Sequence, residues 1–171
     1  MKARAKTKTA AARRGPARPR RVLPIPAGYP AVSPYLIVDD APRALEFYKK
    51  AFGAREVMRH ADPSGRIGHA EIRIGDSLIM LADEHLEVGA TSPKTVGGTP
   101  VGLHLYVKDV DALARQATSA GARTVRAVET QFYGDRNATL EDPFGHRWHV
   151  STHVEDVSPA ELRRRAAQLG K

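Results

Sequence analysis

The sequence predicts an α+β fold made of two tandem β-α-β-β-β modules followed by a short C-terminal helix. Residues 35–55 and 104–123 read as copies of one unit, in which a short apolar strand runs into an Asp and a helical pattern stops at Gly-Ala-Arg. Three strand-like segments separated by turn residues complete each copy. Repetition of this kind indicates half-sized units that bury their apolar faces together. We therefore expect a functional cavity between or within the two halves.

Elements of the first module follow from turn and cap residues. We predict a strand over 31–38 and a helix that Asp40 caps, with Pro42 in its first turn and Gly53 as its stop. Ala44, Leu45, Tyr48, Ala51 and Phe52 form its apolar stripe. Three strands then complete a module of about 30–84; they cover 55–61, 66–74 and 77–82, with turns at 62–65 and 75–76.

The second module repeats this order after a Gly-, Thr- and Pro-rich linker over 85–100. It covers about 101–153, with a strand at 102–107, a helix at 110–120 and strands at 123–128, 136–141 and 147–152. Ser158 and Glu161 form a capping-box pattern that predicts a C-terminal helix over 158–169, with Leu162, Ala166 and Leu169 turned inward.

Charge divides the chain into a tail and a nearly neutral domain. The net charge is +8, but residues 1–21 hold nine basic side chains and no acidic one. We predict that residues 1–29 form a disordered basic tail with a Pro-rich lead-in, and that 30–171 is a single domain. The tail could attract nucleic acid nonspecifically, or resemble an organellar leader, although it lacks an apolar helical face.

Composition excludes several classes of protein. The chain has 171 residues, 42% of them hydrophobic, and no apolar run of membrane-spanning length, so no membrane partner is expected. It contains no cysteine, which excludes disulfides, thiolate metal sites and a cysteine nucleophile. This composition fits a cytoplasmic protein.

Strand alternation predicts which side chains line a cavity. We expect one face of each strand to cover the helices, namely the face with Leu36, Ala70 or Leu105 and the residues two positions away. The opposite faces then carry polar groups. That polar face comprises Ser33, Tyr35, His69, Glu71, Arg73, Gly102, His104, Tyr106 and His149.

Particular segments resemble the glyoxalase/bleomycin resistance/dioxygenase superfamily, also called vicinal oxygen chelate. They are Val-Asp-Asp-Ala-Pro-Arg-Ala-Leu-Glu-Phe-Tyr-Lys-Lys-Ala-Phe-Gly at 38–53 and Asp-Pro-Phe-Gly-His-Arg-Trp at 142–148. Gln-Phe-Tyr-Gly-Asp-Arg at 131–136 and the ending from 148 are similar to the PhnB-like branch. The resemblance covers 30 to about 153 and implies a cupped sheet of half-barrels. It does not imply one reaction, because this fold serves many.

The resemblance places metal ligands at Ser33, Ile79 or Met80, Gly102 and His149. Only His149 is a usual ligand, so we expect no metal at those positions and no cofactor. A displaced divalent-metal site is the alternative, with His69, Glu71, His104 and His149 as ligands. These groups could instead hydrogen-bond one another or water.

Further residues are candidates for the cavity wall. Phe132, Tyr133 and Trp148 are either core or pocket wall, and core is favoured for Trp148 by its helix-side parity. Asp135 and Arg136 are predicted as an ion pair, or Arg136 as a group that holds an anionic substrate. The histidines near turns and strand ends are predicted to be solvated: His60, His85, His146 and His153.

Two classes of function remain open. The first is a binding protein that holds a small organic molecule in a cavity without metal chemistry, with Ser33, Tyr35, His69, Tyr106, Phe132, Tyr133, Arg136 and Trp148 as candidate contacts. The second is a lyase, isomerase or dioxygenase that uses a displaced metal, or acid–base catalysis by Glu71 with His104 or His149. The resemblance also implies a homodimer.

Overall fold

A computed structural model describes residues 22–169. Its strands are β1 (Tyr35–Val38), β2 (Arg55–Ala61), β3 (Ile67–Ile74), β4 (Ser77–Asp83), β5 (Gly102–Tyr106), β6 (Arg123–Thr130), β7 (Asp135–Glu141) and β8 (Arg147–His153). Its helices are α1 (Ala41–Phe52), α2 (Pro93–Val96), α3 (Val110–Ser119) and α4 (Pro159–Ala166). The predicted basic tail, residues 1–21, lies outside the described residues.

The strands form two four-stranded sheets of the same topology. The first has the order β1-β4-β3-β2 and the second β5-β8-β7-β6. In each sheet the first and last strands of the module pair in parallel, and the other neighbours are antiparallel. The predicted fold of paired β-α-β-β-β modules with a C-terminal helix is therefore confirmed.

Three predicted helix starts are present. The side chains of Asp40, Asp109 and Ser158 each accept a hydrogen bond from the backbone N–H three residues ahead, which satisfies a donor that the first turn leaves free. Gly53 ends α1 at φ 64°, a backbone conformation that favours glycine.

Some element bounds differ from the prediction. Strand β1 begins at Tyr35, not at 31, because Pro34 has no N–H to give to a ladder. The linker contains a 3₁₀ turn, Leu86–Val88, in addition to α2. Helix α4 has no buried residue, and the prediction that its apolar stripe turns inward is wrong: Leu162 is 36% and Leu169 66% exposed.

The helix-side faces of both sheets share one hydrophobic core. Phe52 and Tyr48 of α1 pack against Trp148 of β8, with ring centroids 4.4 and 5.6 Å apart. Gln116 of α3 donates to two carbonyl oxygens at the end of α1 at 2.8 and 3.1 Å. The two polar faces therefore lie on the sides of the sheets that are turned away from this core. Over residues 22–169 no helix has the length and hydrophobicity needed to cross a membrane.

Candidate functional site

The polar face of the first sheet is built from one row of paired residues. Tyr35 on β1 pairs with Met80 on β4, and Met80 pairs with Glu71 on β3. Because paired residues project to the same side of a sheet, their side chains line one face. Glu71 is only 3% exposed, whereas Tyr35 is 47% exposed.

Four side chains form a continuous hydrogen-bonded chain across this face. The Tyr35 hydroxyl lies 2.9 Å from Nδ1 of His69, and Nε2 of His69 lies 3.2 Å from Oε1 of Glu71. The second oxygen of Glu71, Oε2, accepts a hydrogen bond from the Tyr29 hydroxyl at 2.7 Å. A buried carboxylate is thus held between an imidazole and a phenol, and we call Tyr35, His69, Glu71 and Tyr29 the relay.

Donor and acceptor roles in the relay follow from the carboxylate. A carboxylate only accepts hydrogen bonds, so the His69 tautomer that matches this geometry has its proton on Nε2, and its Nδ1 then accepts from Tyr35. Burial raises the pKa of Tyr35, and the hydrogen bond to Glu71 followed by burial raises the pKa of Tyr29. Both phenols therefore stay protonated at neutral pH, and Tyr35 can act as a hydrogen-bond donor or an acid.

A cleft of about 700 Å³ opens beside Tyr35. Its apolar wall includes Ile37, Ala82, Val88 and Ala90. Its polar side chains are those of Tyr35, His60, Asp62, Arg66, Asp83 and His85. The His60 ring is stacked on His69 at 6.4 Å between centroids, which connects the cleft to the relay. A volume of this size accommodates a small organic molecule.

The polar face of the second sheet carries two exposed imidazoles. His104 on β5 pairs with His149 on β8, and their stacked rings are 6.4 Å apart. His149 also lies 3.2 Å from the Thr139 hydroxyl through Nδ1. A Cβ at Gly102 would lie 2.6 Å from Nε2 of His149, so this imidazole fills the space that a side chain on Gly102 would need.

A second polar cluster lies further along the same face. Asp135 is buried and accepts hydrogen bonds from the Tyr106 hydroxyl and Nδ1 of His153, each at 2.8 Å. Burial works against ionisation of Asp135, but the bonds from His153 and Tyr106 outweigh it and lower the pKa. Hydrogen bonds to Asp156 and then Asp135 raise the pKa of His153. This cluster therefore favours a charged imidazole opposite carboxylates.

Neighbouring groups extend that cluster. Ser151 pairs with Tyr106 and Asn137, and its Oγ is buried with no hydrogen-bond partner within residues 22–169. Asn137 donates to the Tyr133 hydroxyl at 2.5 Å, which holds the half-exposed Tyr133 ring at the edge of this face. Phe132 contacts Tyr133 edge to face and is half-buried.

Several predicted contacts lie elsewhere. Arg136 pairs with Asp111 of α3 through two bonds of 2.7 Å and not with Asp135, because alternation along β7 turns these adjacent residues to opposite faces. The ion-pair prediction is therefore wrong, and Arg136 does not line the polar face. Trp148 is 2% exposed in the core, where its Nε1 donates to Asp142. Ser33 precedes β1 in irregular backbone.

Predictions about the turn histidines were also partly wrong. His146 is buried, and its Nε2 lies 3.0 Å from the carbonyl oxygen of Ile37 in the other module. His153 bonds to Asp135 and Asp156, although its side chain is half-exposed.

The residues at the inherited ligand positions do not fit a metal ion. Of the two candidates on β4, Ile79 is buried in the core, and Met80 faces the polar side but offers only a thioether. Gly102 has no side-chain donor. Among residues 22–169, no three His, Asp or Glu side chains converge on one point as a metal ion requires. The displaced site of His69, Glu71, His104 and His149 is not formed in one chain, because these residues belong to the polar faces of two different sheets.

Sequence reasoning missed the contributions of Tyr29, Asp135 and His153. Tyr29 lies in a Pro-rich segment without periodicity, and its partner is 42 residues away. Asp135 would have been found if β7 had been started one residue earlier, since alternation then places it beside Asn137 on the polar face. His153 could have been found by extending β8 by one residue.

Comparisons with known proteins agree with this architecture. The model of the Glyoxalase/Bleomycin resistance protein/Dioxygenase superfamily matches residues 30–150. An uncharacterized protein of Mycobacterium tuberculosis is 42% identical over 144 residues, which is 82% of this chain and 85% of the relative. An uncharacterized protein of Mycobacterium bovis is 42% identical over 144 residues, which is 82% of this chain and 95% of the relative.

Solved structures share the fold. TioX from Micromonospora is 27% identical with a TM-score of 0.56, over 70% of this chain and 95% of its own. The PhnB protein of Bacillus cereus is 14% identical with a TM-score of 0.56, over 72% and 99%. The fosfomycin resistance protein FosX of Listeria monocytogenes is 16% identical with a TM-score of 0.57, over 78% and 97%. With its two β-α-β-β-β sheets and the family match over 30–150, the chain belongs to the Glyoxalase/Bleomycin resistance protein/Dioxygenase superfamily.

Proposed function

We propose that this protein binds a small, uncharged organic molecule in the cleft beside Tyr35. The supporting observation is the cleft itself, about 700 Å³ in volume, with an apolar wall on one side and the protonated Tyr35 hydroxyl on the other. Ligand sites in proteins are commonly apolar concavities with few polar groups that fix orientation.

Charges around the cleft are already engaged by the protein. Asp83 accepts hydrogen bonds from the backbone N–H groups of Ala41 and Ile67, both at 2.6 Å. Arg66 donates to the carbonyl oxygen of Glu84. The Tyr35 hydroxyl donates its proton to His69 and keeps its oxygen lone pairs for a ligand, and the imidazoles of His60 and His85 also face the cleft. These neutral hydrogen-bonding groups suit an uncharged partner.

Filling the cleft tests the proposal. Gly68 lines the cleft, a Cβ there would have no heavy atom within 4 Å, and its φ does not require glycine. We expect Gly68→Leu to lower the affinity for uncharged bicyclic aromatic probes (indole, quinoline and coumarin) at least about tenfold in saturation-transfer NMR, because the side chain takes the ligand's place. Ala127→Leu, on exposed β6 of the other module, is the matched control and should bind as the wild type does. Unchanged binding by folded Gly68→Leu would contradict the proposal.

Acid–base catalysis in the same cleft is the second candidate, and the relay is the observation that favours it. A carboxylate, an imidazole and a phenol in series can move a proton to or from a bound molecule at the Tyr35 oxygen. The assay is exchange of carbon-bound hydrogen of a bound probe in deuterated water, followed by NMR. Catalysis predicts exchange that Tyr35→Phe and His69→Gln both abolish, whereas a binding protein shows none above the buffer rate.

Assembly as a homodimer in the cytoplasm is also proposed. Support comes from the polar faces, which are open in a single chain and carry exposed aromatic groups such as Tyr35 and Tyr106, and from the absence of cysteine. Light scattering at micromolar concentration should give twice the mass of the 18.6 kDa chain. A monomer over that range would contradict the dimer.

A further inference from the structure

The segment before β1 crosses the polar face of the first sheet and is held by few contacts. Residues 22–28 are exposed, and Tyr29 is the first residue that becomes partly buried. A turn closes it, with the Tyr29 N–H donating to the carbonyl oxygen of Pro26 at 3.1 Å. Its side-chain bonds to the sheet are Tyr29 to Glu71 and Arg73 to the carbonyl oxygen of Gly28, at 2.7 and 3.1 Å. We call residues 26–30 the strap.

Glu71 depends on the strap for one of its hydrogen bonds. It lies in the middle of the sheet, paired with Met58 on β2 and Met80 on β4, neither of which offers a side-chain donor. Nε2 of His69 is the hydrogen-bond partner of Oε1, and the Tyr29 hydroxyl donates to Oε2. A buried carboxylate oxygen without a donor is costly, so in any state in which the strap lifts, Oε2 is left to water or to a hydroxyl that takes the place of Tyr29.

We propose that the position of the Tyr29 ring is a binding site for phenolic compounds, and that the strap is an intramolecular ligand that competes for it. The proposal rests on the proposed function, because the relay joins this position to the cleft beside Tyr35. A phenol is a stronger donor to a carboxylate than an aliphatic alcohol, and Glu71 already holds one at 2.7 Å. Hydroxyaromatic molecules are thus the ligand class that this face accepts.

Competition by the strap is weak enough to be overcome. A tethered group acts at an effective concentration of about millimolar, so a free phenol must exceed that level or bind additional surface. Segments with few buried apolar contacts open at low cost in free energy. Since residues 22–28 are exposed, their displacement uncovers little apolar surface.

Calorimetric titration with 4-methylphenol, the free equivalent of the Tyr29 side chain, tests the proposal. We expect Tyr29→Ala to bind this probe at least about tenfold more tightly than the wild type does, because the competitor is removed. Adding Glu71→Gln to Tyr29→Ala should abolish that gain, since an amide presents a donor as well as an acceptor. The matched probe 4-methylanisole, which lacks the hydroxyl proton, should show no gain.

A milder variant covers the case in which Tyr29→Ala is poorly folded. Arg73→Met removes the bond to the Gly28 carbonyl oxygen and leaves Tyr29 in place, so it should give an intermediate gain. Equal affinity of the wild type and Tyr29→Ala for 4-methylphenol, or a gain that survives Glu71→Gln, would overturn the inference. Binding that Gly68→Leu abolishes but Glu71→Gln does not change would refute this site alone and leave the cleft proposal standing.

Discussion

Asp142 connects the two modules, and its replacement gives a quantitative prediction. This buried residue lies in the turn before β8. Its Oδ1 accepts from the N–H groups of Phe144 and His146, both at 2.9 Å. Its Oδ2 accepts from the Tyr48 hydroxyl of α1 at 2.8 Å and from Nε1 of Trp148 at 3.0 Å. One carboxylate therefore orders the turn and joins the first helix to the second sheet.

The cost of Asp142→Asn can be worked out from these four bonds. An amide keeps one acceptor oxygen for the turn but places an NH₂ group opposite two donors. The Tyr48 hydroxyl can rotate and accept, whereas the Trp148 N–H cannot and is left unsatisfied at a cost of about 1–3 kcal/mol. Loss of charge weakens the remaining bonds by about another 1 kcal/mol. We expect the free energy of unfolding to fall by about 3 kcal/mol, and Tm by about 6–12 °C.

Thermal unfolding followed by the fluorescence of Trp148, the single tryptophan, measures this change. Asp62→Asn is the matched control, because Asp62 orders the equivalent turn of the first module through Ser64 and Arg66 but is exposed. Its Tm should change much less. An equal fall in both variants would show that the turn alone, and not the buried junction with Tyr48, determines the cost.

Two further predictions concern the second polar face. Gly102→Ala should displace the His149 ring, since the added Cβ would lie 2.6 Å from Nε2. We expect altered His149 ring signals in NMR and a loss of stability below about 1 kcal/mol. Unchanged ring signals would contradict the described packing. His153 has a raised pKa, so its charged form stabilises the fold below the unfolded value of about 6.5, and this contribution is lost as the pH rises through the folded value. The Tm difference between the wild type and His153→Gln should therefore be larger at pH 6 than at pH 9, and a constant difference would refute a role for Asp156 and Asp135 in holding the charge.

Local signals made most of the fold predictable. Asp40 and Asp109 are helix caps because a short acceptor after an apolar strand satisfies first-turn donors wherever it occurs. Alternation placed His69 and Glu71 on one face for an equally local reason, since side chains two residues apart on a strand project to the same side. These rules need no knowledge of the rest of the chain.

Contacts that depend on tertiary placement could not be predicted in this way. Asp135 and Arg136 are adjacent and oppositely charged, so a pair was expected, but both lie in β7, where alternation turns adjacent side chains to opposite faces. Tyr29 precedes the first strand in a Pro-rich segment. The prolines indicated only that this segment cannot join a sheet. Its role depends on Glu71, and a single sequence offers no signal for that pairing.

Duplication itself limits what a repeated motif says about function. Asp62 and Asp142 stand in the same Asp-Pro-x-Gly turn and bond to the turn backbone in the same way, yet only Asp142 reaches a helix of the other module. The polar faces have diverged likewise: the buried carboxylate of the first, Glu71, lies beneath the strap, whereas that of the second, Asp135, is bonded to Tyr106 and His153. The second face also displays exposed imidazoles beside Gly102. Local sequence maintains the shared backbone, whereas chemistry depends on what packs against each face. We therefore propose separate roles for the two halves, with ligand recognition on the face that carries Glu71.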